Sequence, residues 1–557
     1  MDGILTEEMM LKILEKKPST KDELNFWRTK IASQYKTNQA ATRLLLVAYQ
    51  SLLKKKRIKR NKDFEKLLTK ADIRSTSGIS VITTLLKPYT CPGKCIYCPT
   101  EVRMPKSYVA SEPAAARSLA LNFNPYKLMQ MRIQMLERNG HSTDKIEYIT
   151  KGGTWNAYPL KYQYWFILES FKACNNFSRR TQIPETEEKD WNDRPLEELQ
   201  KALDLEIKYN ERCAHRIIGL TLETRPDAIS PKTIYHMRRQ GCTRVELGLQ
   251  APDDKILELI KRGHTVEQFR KAIYLLRQAG FKVDLHFMPD LPGTTPEHDV
   301  QMYKLLFSDP GLRPDMVKIY PNAVIPSAEL YQWFLDGRFK PYGEEALFKS
   351  LLEMKLATPR YCRISRLIRD IPANEIEGGN KITNLREMLE TELKKRGEHC
   401  VCLRCREISR QKDKLPVDTE AMLFVDEYDT IGGKEYFITF EDPKRVAVFG
   451  FLRLRIPDRA NKVDAIQKQF DSYLPELKDC AFVRELHVYG TLVGIGKRNI
   501  DATQHKGFGK RLMAEAEKIA AENGYQKVAV ISGVGVRGYY RKLGYKLRGT
   551  YMIKSYE

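Results

Sequence analysis

Residues 89–100 of the chain read YTCPGKCIYCPT, so that Cys91, Cys95 and Cys98 follow a CxxxCxxC spacing within one short loop. The loop comes directly after an apolar, strand-like segment, residues 78–86. Three thiolates this close together can bind three irons of a four-iron cluster and leave the fourth iron open for chemistry. The alternatives are a zinc knuckle or a disulfide, but zinc would need a fourth ligand, and residues 89–117 contain no further cysteine and no histidine. The loop therefore favours an iron-sulfur cluster with one open iron.

Residues 72–360, which contain this loop, alternate short β-rich segments with longer amphipathic ones, as is typical of a parallel α/β barrel, complete or partial. The predicted strands are residues 145–150, 216–222, 243–249, 282–287 and 316–320. Polar residues and glycines follow these strands, among them Lys151, Gly152, Gly153, Glu223 and Gln250. Because the carboxyl ends of barrel strands line the active site in this type of fold, these residues are candidate site residues.

The cysteine spacing, together with Tyr97 before the last cysteine, resembles the radical S-adenosylmethionine (SAM) enzymes. The resemblance implies a [4Fe-4S] cluster whose open iron binds the amino and carboxylate groups of SAM. It also implies that Gly152 and Gly153 lie against the SAM amino group, although a tight turn would need glycine as well. Further candidates for SAM binding are Glu223, Arg225, Asp227 and Gln250. Each of these could equally be a buried polar group satisfied by the backbone.

The chain of 557 residues carries a formal net charge of +23, from 94 basic against 71 acidic residues. An excess of this size indicates a polyanionic partner such as nucleic acid. The basic clusters are residues 54–62, KKKRIKRNK, and the series Arg360, Arg363, Arg366 and Arg369. Either cluster alone would also suit a solvated face. Since there is no apolar stretch of about 18 residues and no signal-peptide pattern, we expect a cytoplasmic protein without membrane association, with its cysteines reduced or metal-bound.

A second cysteine group, Cys400, Cys402 and Cys405, has the spacing CxCxxC. Four thiolates around one tetrahedral ion make a closed structural zinc site, and Cys362 can supply the fourth. His399 is the competing fourth ligand, but it neighbours Cys400, so both side chains would have to fold onto the same ion. We predict zinc with Cys362 as fourth ligand; the alternative is reduced cysteines packed at a domain junction.

Residues 504–510, QHKGFGK, follow the strand-like segment 484–490 and precede an alanine-rich helix that extends to Asn523. Glycines at a helix start expose N–H groups that can bind a pyrophosphate, whereas the alternative is a plain glycine turn. The loop, the following strand at 527–532 and the later Tyr539-Tyr540 pair resemble the GNAT acetyltransferases. This resemblance implies acetyl-CoA as co-substrate, with Tyr540 near the thioester sulfur, where it can protonate the leaving thiolate. The implied acetyl-CoA-binding residues are Gln504, Lys506, Gly507, Phe508, Gly509, Lys510 and Tyr539.

A radical SAM barrel joined to a GNAT domain resembles the catalytic subunits of Elongator, a family of tRNA-uridine acetyltransferases. The resemblance is carried by CPGKCIYCP, TKGGTW, LTLETRPD, VELGLQ, DLHFMPDLPG, SRLIRDIP, the CxCxxC group and the GNAT loop. It implies that a SAM-derived radical abstracts hydrogen from the methyl group of acetyl-CoA, that the carbon radical adds to carbon 5 of the wobble uridine (position 34), and that thioester hydrolysis leaves carboxymethyluridine. Lys151 matches a family lysine implicated in handling acetyl-CoA, and the basic clusters would bind the tRNA anticodon stem-loop.

The expected architecture is a basic helical tRNA-binding segment (residues 1–71), a radical SAM partial (β/α) barrel (72–360), a zinc-binding linker (361–414) and a GNAT acetyltransferase domain (415–557). The alternative function is a protein lysine acetyltransferase with a structural iron-sulfur cluster, for which Glu485 would be the general base. A tRNA-binding scaffold without turnover is a third reading. The sequence leaves open whether the chain forms a homodimer or needs accessory subunits, and how the acetyl group moves from one site to the other.

Overall fold

The computed structural model describes residues 3–68, 78–411, 420–459, 464–489 and 507–556. Two seven-stranded sheets, one parallel and one mixed, follow a set of N-terminal helices. The predicted fold class, a partial (β/α) barrel followed by a GNAT-type α/β domain, is confirmed. Within the described ranges, no helix is both long enough and apolar enough to cross a membrane.

The N-terminal segment folds into helices around a core of its own. Their bounds are Gly3–Glu15 (α1), Lys21–Gln34 (α2), Thr42–Lys54 (α3) and Lys62–Leu68 (α4). The Thr20 side chain accepts a hydrogen bond from the Glu23 amide and caps α2. Leu45, Tyr49 and Leu52 recur on one face of α3 and are buried between the helices. The basic residues that end and follow α3 are exposed, so the module presents them to solvent.

The parallel sheet has the strand order β1-β2-β3-β4-β5-β6-β8. Its strands are Ser80–Leu85 (β1), Lys145–Lys151 (β2), Arg216–Thr224 (β3), Arg244–Gln250 (β4), Lys282–Phe287 (β5), Met316–Ile319 (β6) and Arg363–Arg366 (β8), and a small sheet beside it pairs Ala323–Val324 (β7) with Gly378–Gly379 (β9). Since β1 and β8 are edge strands of one sheet, the barrel is partial. The strands predicted between residues 145 and 320 all occur, with ends within two residues of the prediction. The last strand, β8, lies beyond residue 360, so the parallel sheet extends past the predicted end of the barrel.

Helices connect the strands and cover the sheet. They are Pro113–Ala120 (α5), Pro125–Arg138 (α6), Leu160–Asn176 (α7), Glu188–Asp193 (α8), Leu196–Asn210 (α9), Pro231–Arg239 (α10), Asp254–Leu259 (α11), Val266–Gln278 (α12), Pro296–Ser308 (α13), Leu330–Leu335 (α14), Glu344–Ala357 (α15), Leu385–Lys395 (α16) and Ile408–Gln411 (α17). Capping boxes at Ser230 and Thr265 begin α10 and α12. Strand β4 is buried along its whole length, as expected for a covered parallel sheet, although it contains Arg244 and Glu246. Charged side chains are therefore enclosed within the barrel.

The C-terminal sheet has the strand order β10-β11-β12-β13-β14-β16-β15. Its strands are Met422–Thr430 (β10), Gly433–Glu441 (β11), Val448–Pro457 (β12), Cys480–Val488 (β13), Lys527–Val530 (β14), Lys546–Arg548 (β15) and Tyr551–Ser555 (β16), and its helices are Asp464–Tyr473 (α18), Phe508–Glu522 (α19) and Arg537–Arg541 (α20). The parallel strands β13 and β14 pair only as far as Val483 and Val530, whereas β13 continues to Val488 along β12. The two strands therefore diverge and open a cleft within the sheet.

The barrel and the C-terminal domain share one hydrophobic core. The apolar cluster around the barrel also includes Phe482, Ile531 and Tyr551 of the C-terminal sheet. Gly533 packs so tightly against β3 that an added Cβ would lie 1.8 Å from the Ile218 carbonyl oxygen. A side chain at this position would force the two domains apart.

A buried network of ion pairs crosses the same interface. Arg484 of β13 donates to both carboxylate oxygens of Asp315, which precedes β6, and at 2.9 Å to Glu435 of β11. Arg277 of α12 donates to Glu435 at 2.7 Å. All four side chains are inaccessible to solvent. Because a buried charge that loses its partner is strongly unfavourable, this network fixes the two domains against each other.

Candidate active site

The cysteine loop lies at the carboxyl end of the barrel. The Ile96 amide donates to the Ile260 carbonyl at 3.1 Å, which anchors the loop to the end of α11. Cys91, Cys95 and Cys98 line a small cavity of about 70 Å³. Side chains that could hold a single ion have their ligand atoms within 4.8 Å of one another, and the Sγ atoms of these three cysteines do not all meet this limit. Thiolates that bind different irons of one cluster need this wider spacing.

Arg262 is the charged partner of this loop. Its Nη1 donates to the Cys95 sulfur at 3.5 Å, and its Nη2 donates to the Gly248 carbonyl at 2.6 Å. Burial would raise the pKa of the Cys95 thiol, but the Arg262 charge lowers this pKa below its ordinary value. Burial and the Cys95 charge raise the pKa of the Cys98 thiol to about 12, so the fit to a [4Fe-4S] cluster rests on the three cysteines and their spacing rather than on their pKa values.

The glycine pair after β2 brings its backbone against neighbouring loops. Gly152 and Gly153 have φ values of 143° and 86°. An added Cβ would lie 2.8 Å from the Leu86 Cβ in the first case and 3.3 Å from the Lys106 carbonyl oxygen in the second. Both the backbone angles and the space therefore require glycine at these positions.

Three buried polar atoms of residues that line the cysteine cavity have no hydrogen-bond partner in the described part of the chain: Nη1 of Arg225, Nε of Arg262 and Oε1 of Gln250. Arg225 is held in place by Asp227, whose Oδ1 accepts from its Nε at 2.9 Å. Buried polar groups in proteins are nearly always hydrogen-bonded. Unpaired donors and an unpaired acceptor beside the cysteines therefore fit a polar ligand such as SAM.

A cluster of charged side chains lies beside the cysteine cavity, in an adjoining cavity of about 480 Å³ inside the barrel. The fully buried Glu246 carboxylate accepts from the ammonium groups of Lys151 and Lys318. His286 Nε2 lies 3.2 Å from the same oxygen, and Glu223 Oε2 lies 3.7 Å from the Lys151 nitrogen. The ligand atoms of Glu223, Glu246 and His286 lie within 4.8 Å of one another, but the two ammonium groups already neutralise Glu246.

The electrostatics of this cluster keep its carboxylates charged. Burial would raise the pKa of Glu246, but Lys151 and Lys318 lower it well below its ordinary value. The pKa of Glu223 is also lowered, because Lys151 and His286 outweigh its burial. Burial lowers the pKa of His286 below its ordinary value, although the neighbouring Glu246 and Glu223 carboxylates act in the opposite direction. The barrel therefore holds ionised groups where most barrels pack aliphatic side chains.

Gly507, which has a φ of 117°, is the N-cap of helix α19. Gly509 lies against Tyr539, since an added Cβ would be 2.5 Å from the tyrosine hydroxyl. Phe508 stacks on Phe440 with ring centroids 4.4 Å apart and anchors the helix start. The predicted acetyl-CoA residues within the described ranges are Gly507, Phe508, Gly509, Lys510 and Tyr539, and those outside them are Gln504 and Lys506. Open backbone N–H groups at this helix start fit a pyrophosphate.

The cleft between β13 and β14 contains a cavity of about 230 Å³ that also touches the amino ends of the barrel strands. Tyr540 lines this cavity, and burial raises the pKa of its hydroxyl, so that it stays protonated and can donate a proton. Glu485 lines it as well and accepts from Arg453 Nε at 2.9 Å. Burial would raise the pKa of Glu485, but Lys282 and Arg453 lower it to about 2.

The second cysteine group is compact. The sulfur atoms of Cys400, Cys402 and Cys405 all lie within 4.8 Å of one another, which suits one tetrahedral ion and fits zinc. Cys362 is buried, and its carbonyl accepts from the Leu403 amide at 2.9 Å, but its sulfur is not in this group. His399 is exposed and is not in the group either. The fourth ligand stays a prediction.

The arginine series does not form a single surface. Arg363 lines the cleft at the amino ends of the barrel strands, whereas Arg366 and Arg369 line the cavity inside the barrel. These three arginines pair with Glu407, Asp370 and Glu112, respectively. The spacing of three residues therefore distributes the series along and beyond β8 instead of along one face.

Three residues of the site were missed in the sequence: Glu246, Lys318 and Arg262. The first two are charges inside otherwise apolar strands, VELGLQ and MVKI, and this signal could have been read. Arg262 is 167 residues from its partner Cys95, and no local pattern connects them.

Comparison with known proteins gives matches over most of the chain. Residues 189–306 match the radical SAM superfamily, and residues 314–395 match the radical SAM C-terminal domain. A tRNA uridine(34) acetyltransferase of Methanocaldococcus infernus is 41% identical over 501 residues, 88% of each chain. Elongator complex protein 3 of Saccharomyces cerevisiae is 36% identical over 495 residues, 86% of this chain and 84% of that protein. The structure of an archaeal Methanocaldococcus infernus Elp3 with an N-terminal deletion superposes with a TM-score of 0.69 at 39% identity and covers 86% of this chain and 99% of that chain.

Proposed function

Because this chain belongs to the family of the tRNA uridine(34) acetyltransferases and Elongator complex protein 3, we propose that it modifies the wobble uridine of tRNA in the cytoplasm. In the proposed reaction, a SAM-derived radical abstracts hydrogen from the methyl group of acetyl-CoA, and the resulting carbon radical adds to carbon 5 of the uridine. The adduct loses the carbon 5 proton and one electron, which would return to the oxidised iron-sulfur cluster, so that the uracil double bond is restored. Hydrolysis of the thioester then leaves carboxymethyluridine and CoA. The observation that carries this proposal is that the cysteine cavity and the cavity of Lys151 adjoin and share Tyr97, Glu223, Gln250 and His286 as lining residues.

The cysteine loop would hold a [4Fe-4S] cluster, which when bound supplies the electron for the cleavage of SAM. Gly152 and Gly153 would leave room for SAM beside the loop. The unpaired guanidinium N–H of Arg225 and the unpaired amide oxygen of Gln250 would bind its polar groups. Glu223, whose Oε2 accepts from the Tyr108 hydroxyl at 2.8 Å, would accept a further hydrogen bond from the ribose.

Lys151 would position the acetyl group. Its ammonium lies in the cavity next to the SAM residues and is held between Glu246 and Glu223. A charged donor aimed at the thioester carbonyl stabilises negative charge on that oxygen, most strongly where water is excluded. Lys151 would thus orient the methyl group toward SAM, and Tyr540 would protonate the thiolate that leaves in hydrolysis.

The N-terminal helices offer a surface for the anticodon stem-loop. The basic residues around the end of α3 are exposed, and so is Phe26 of α2, by 57%. Lys30 lies over the Phe26 ring, with its ammonium 5.7 Å from the centroid. An exposed ring flanked by cations can stack on an unpaired base while the cations contact phosphates. We therefore expect the affinity for tRNA to fall steeply with salt.

The alternative, a protein lysine acetyltransferase, requires a base to deprotonate the acceptor amine. Glu485 is a poor base for this step, because Lys282 and Arg453 pair with it and lower its pKa to about 2. The cleft that contains it adjoins the barrel strands, where the docked barrel restricts access for a lysine side chain. The geometry thus favours RNA modification, with zinc at the second cysteine group as a structural ion.

The test is an anaerobic reaction of the iron-reconstituted protein with SAM, a reductant, acetyl-CoA and tRNA, followed by nucleoside analysis. We expect carboxymethyluridine from the wild type and from Cys480→Ala, a buried cysteine remote from the loop, but none from Cys95→Ala. Equal product from Cys95→Ala would refute the radical route. Acetyl-lysine on a peptide in the absence of SAM would favour the alternative.

A further inference from the structure

Charged side chains occur at both ends of the barrel interior, beside apolar ones such as Val81, Leu85 and Ile149. Side chains at alternate strand positions line the interior, so that Arg244 and Glu246 of β4 lie one above the other. In (β/α)8 barrels these positions mostly hold branched aliphatic residues that close the interior. The charged pair of β4 instead extends from the amino ends of the strands toward the site at their carboxyl ends.

Two cavities meet at the Arg244 end of this pair. The cavity that contains Lys151 extends down to Val81 and Arg244, and the cleft of the C-terminal domain extends up to the same two residues. Glu246 lies two positions after Arg244, a rise of roughly 7 Å along the strand. The cleft in which acetyl-CoA is expected therefore ends within reach of the carboxylate that holds Lys151.

Few side chains separate the two cavities, and their hydrogen bonds are incomplete. Arg244 Nη1 pairs with Glu147 at 2.7 Å and donates to the Met316 sulfur at 3.5 Å. Its Nε has no hydrogen-bond partner in the described part of the chain. The Glu147 side chain is 27% exposed, and Gly219 beside it leaves space, since an added Cβ would meet only the Thr243 hydroxyl at 3.7 Å and Glu147 at 3.9 Å.

The two domains cannot hinge apart to let an acetyl group pass, so the passage has to open at the barrier between the cavities. The shared core, the close contact of Gly533 with Ile218 and the buried pair of Arg484 and Asp315 hold the C-terminal domain on the barrel. An acetyl group carried by a ligand in the cleft would otherwise have to leave the protein and enter again through the mouth of the barrel, on the side where tRNA is expected.

We propose that Arg244 and Glu147 form a gate in the floor of the barrel, through which the acetyl-bearing arm of acetyl-CoA passes from the cleft to Lys151. When Glu147 moves aside, the unpaired Nε–H of Arg244 donates a hydrogen bond to a carbonyl oxygen of the arm. Gly219 is the position that keeps the passage open. This inference rests on the proposed function, because it gives the route by which the two sites share one substrate.

The test compares Gly219→Leu, whose side chain enters the passage, with Gly219→Ala, whose Cβ fits. We expect Gly219→Leu to lower carboxymethyluridine formation at least about tenfold, while SAM cleavage stays within about twofold of wild type. Gly219→Ala should retain the wild-type rate. Equal product formation by the two variants would overturn the gate and leave the proposed function standing.

A second measurement uses the wild-type protein and does not depend on how the variants fold. An acetyl-CoA analogue with a photoreactive diazirine in place of the acetyl methyl is irradiated on the protein, and the labelled peptides are identified. We expect labels within residues 145–151 and 244–250. Labels confined to the C-terminal domain would overturn the gate. Absence of carboxymethyluridine in the wild type would refute the proposed function, whereas the labelled positions would still report on the passage.

Discussion

Replacing Asp315 by asparagine should show that the ion-pair network holds the two domains together. Asp315 is fully buried, accepts from Arg484 at 2.8 Å and from the Val283 amide at 2.9 Å, and lies 3.9 Å from Arg277. Asparagine keeps the shape of the side chain but removes its charge. The buried guanidinium groups of Arg277 and Arg484 are then left with the Glu435 carboxylate as their nearest negative charge.

The magnitude follows from breaking a buried pair by removing one partner, which costs about 3–5 kcal/mol. For a chain larger than 250 residues, each kcal/mol shifts Tm by about 2 °C, which gives a fall of about 6–10 °C. We also expect carboxymethyluridine formation to fall more than SAM cleavage, because only product formation needs both domains in register.

The assay is thermal unfolding followed by calorimetry at pH 7.5, with Asp309→Asn as the matched control. Asp309 also pairs with an arginine, Arg270 at 2.7 Å, but its side chain is 20% exposed, so the loss should be below about 1 kcal/mol. If Asp315→Asn lowers Tm no more than Asp309→Asn does, the network does not carry the interface and the reasoning fails.

Cys405→Ser should remove zinc but retain about four irons per chain, as measured by metal analysis; loss of iron as well would show that the two cysteine groups are not independent. Lys151→Met should lower carboxymethyluridine formation by at least about 100-fold while SAM cleavage continues, and parallel loss of both activities would contradict a role confined to the acetyl group. Burial raises the pKa values of Asp290 and Asp299 to about 7, above the unfolded values, so wild-type Tm should fall as pH rises from about 5 to 7. The double variant Asp290→Asn, Asp299→Asn should show a flatter profile over this range, and an unchanged profile would assign the pH dependence to other groups.

The fold was largely accessible from the sequence, because each barrel strand is a short β-rich segment between longer amphipathic ones. The cysteine loop could also be predicted, because its ligands are close together in the sequence and their spacing is a local property. Gly152 and Gly153 also follow local rules, since their backbone angles exclude other residues.

The parts that escaped prediction depend on contacts between distant segments. Nothing near Arg262 in the sequence indicates that it would bond to Cys95, and only the curvature of the sheet brings Lys318 to Glu246. The positions of the arginine series could not be predicted either, because Arg363 lines the cleft at the amino ends of the strands, whereas Arg366 and Arg369 line the cavity inside the barrel.

Gly533 packs closely against the Ile218 carbonyl, and this contact limits how the protein can be engineered. A catalytic unit can be exchanged between proteins only when its boundary tolerates a foreign surface, and at Gly533 this boundary has no room even for a methyl group. Chimeras that graft another acetyltransferase onto this barrel should therefore fail at assembly before catalysis is ever tested. Variation that retargets the enzyme is more readily introduced at the N-terminal helices, whose core is separate from the core that the barrel and the acetyltransferase unit have in common.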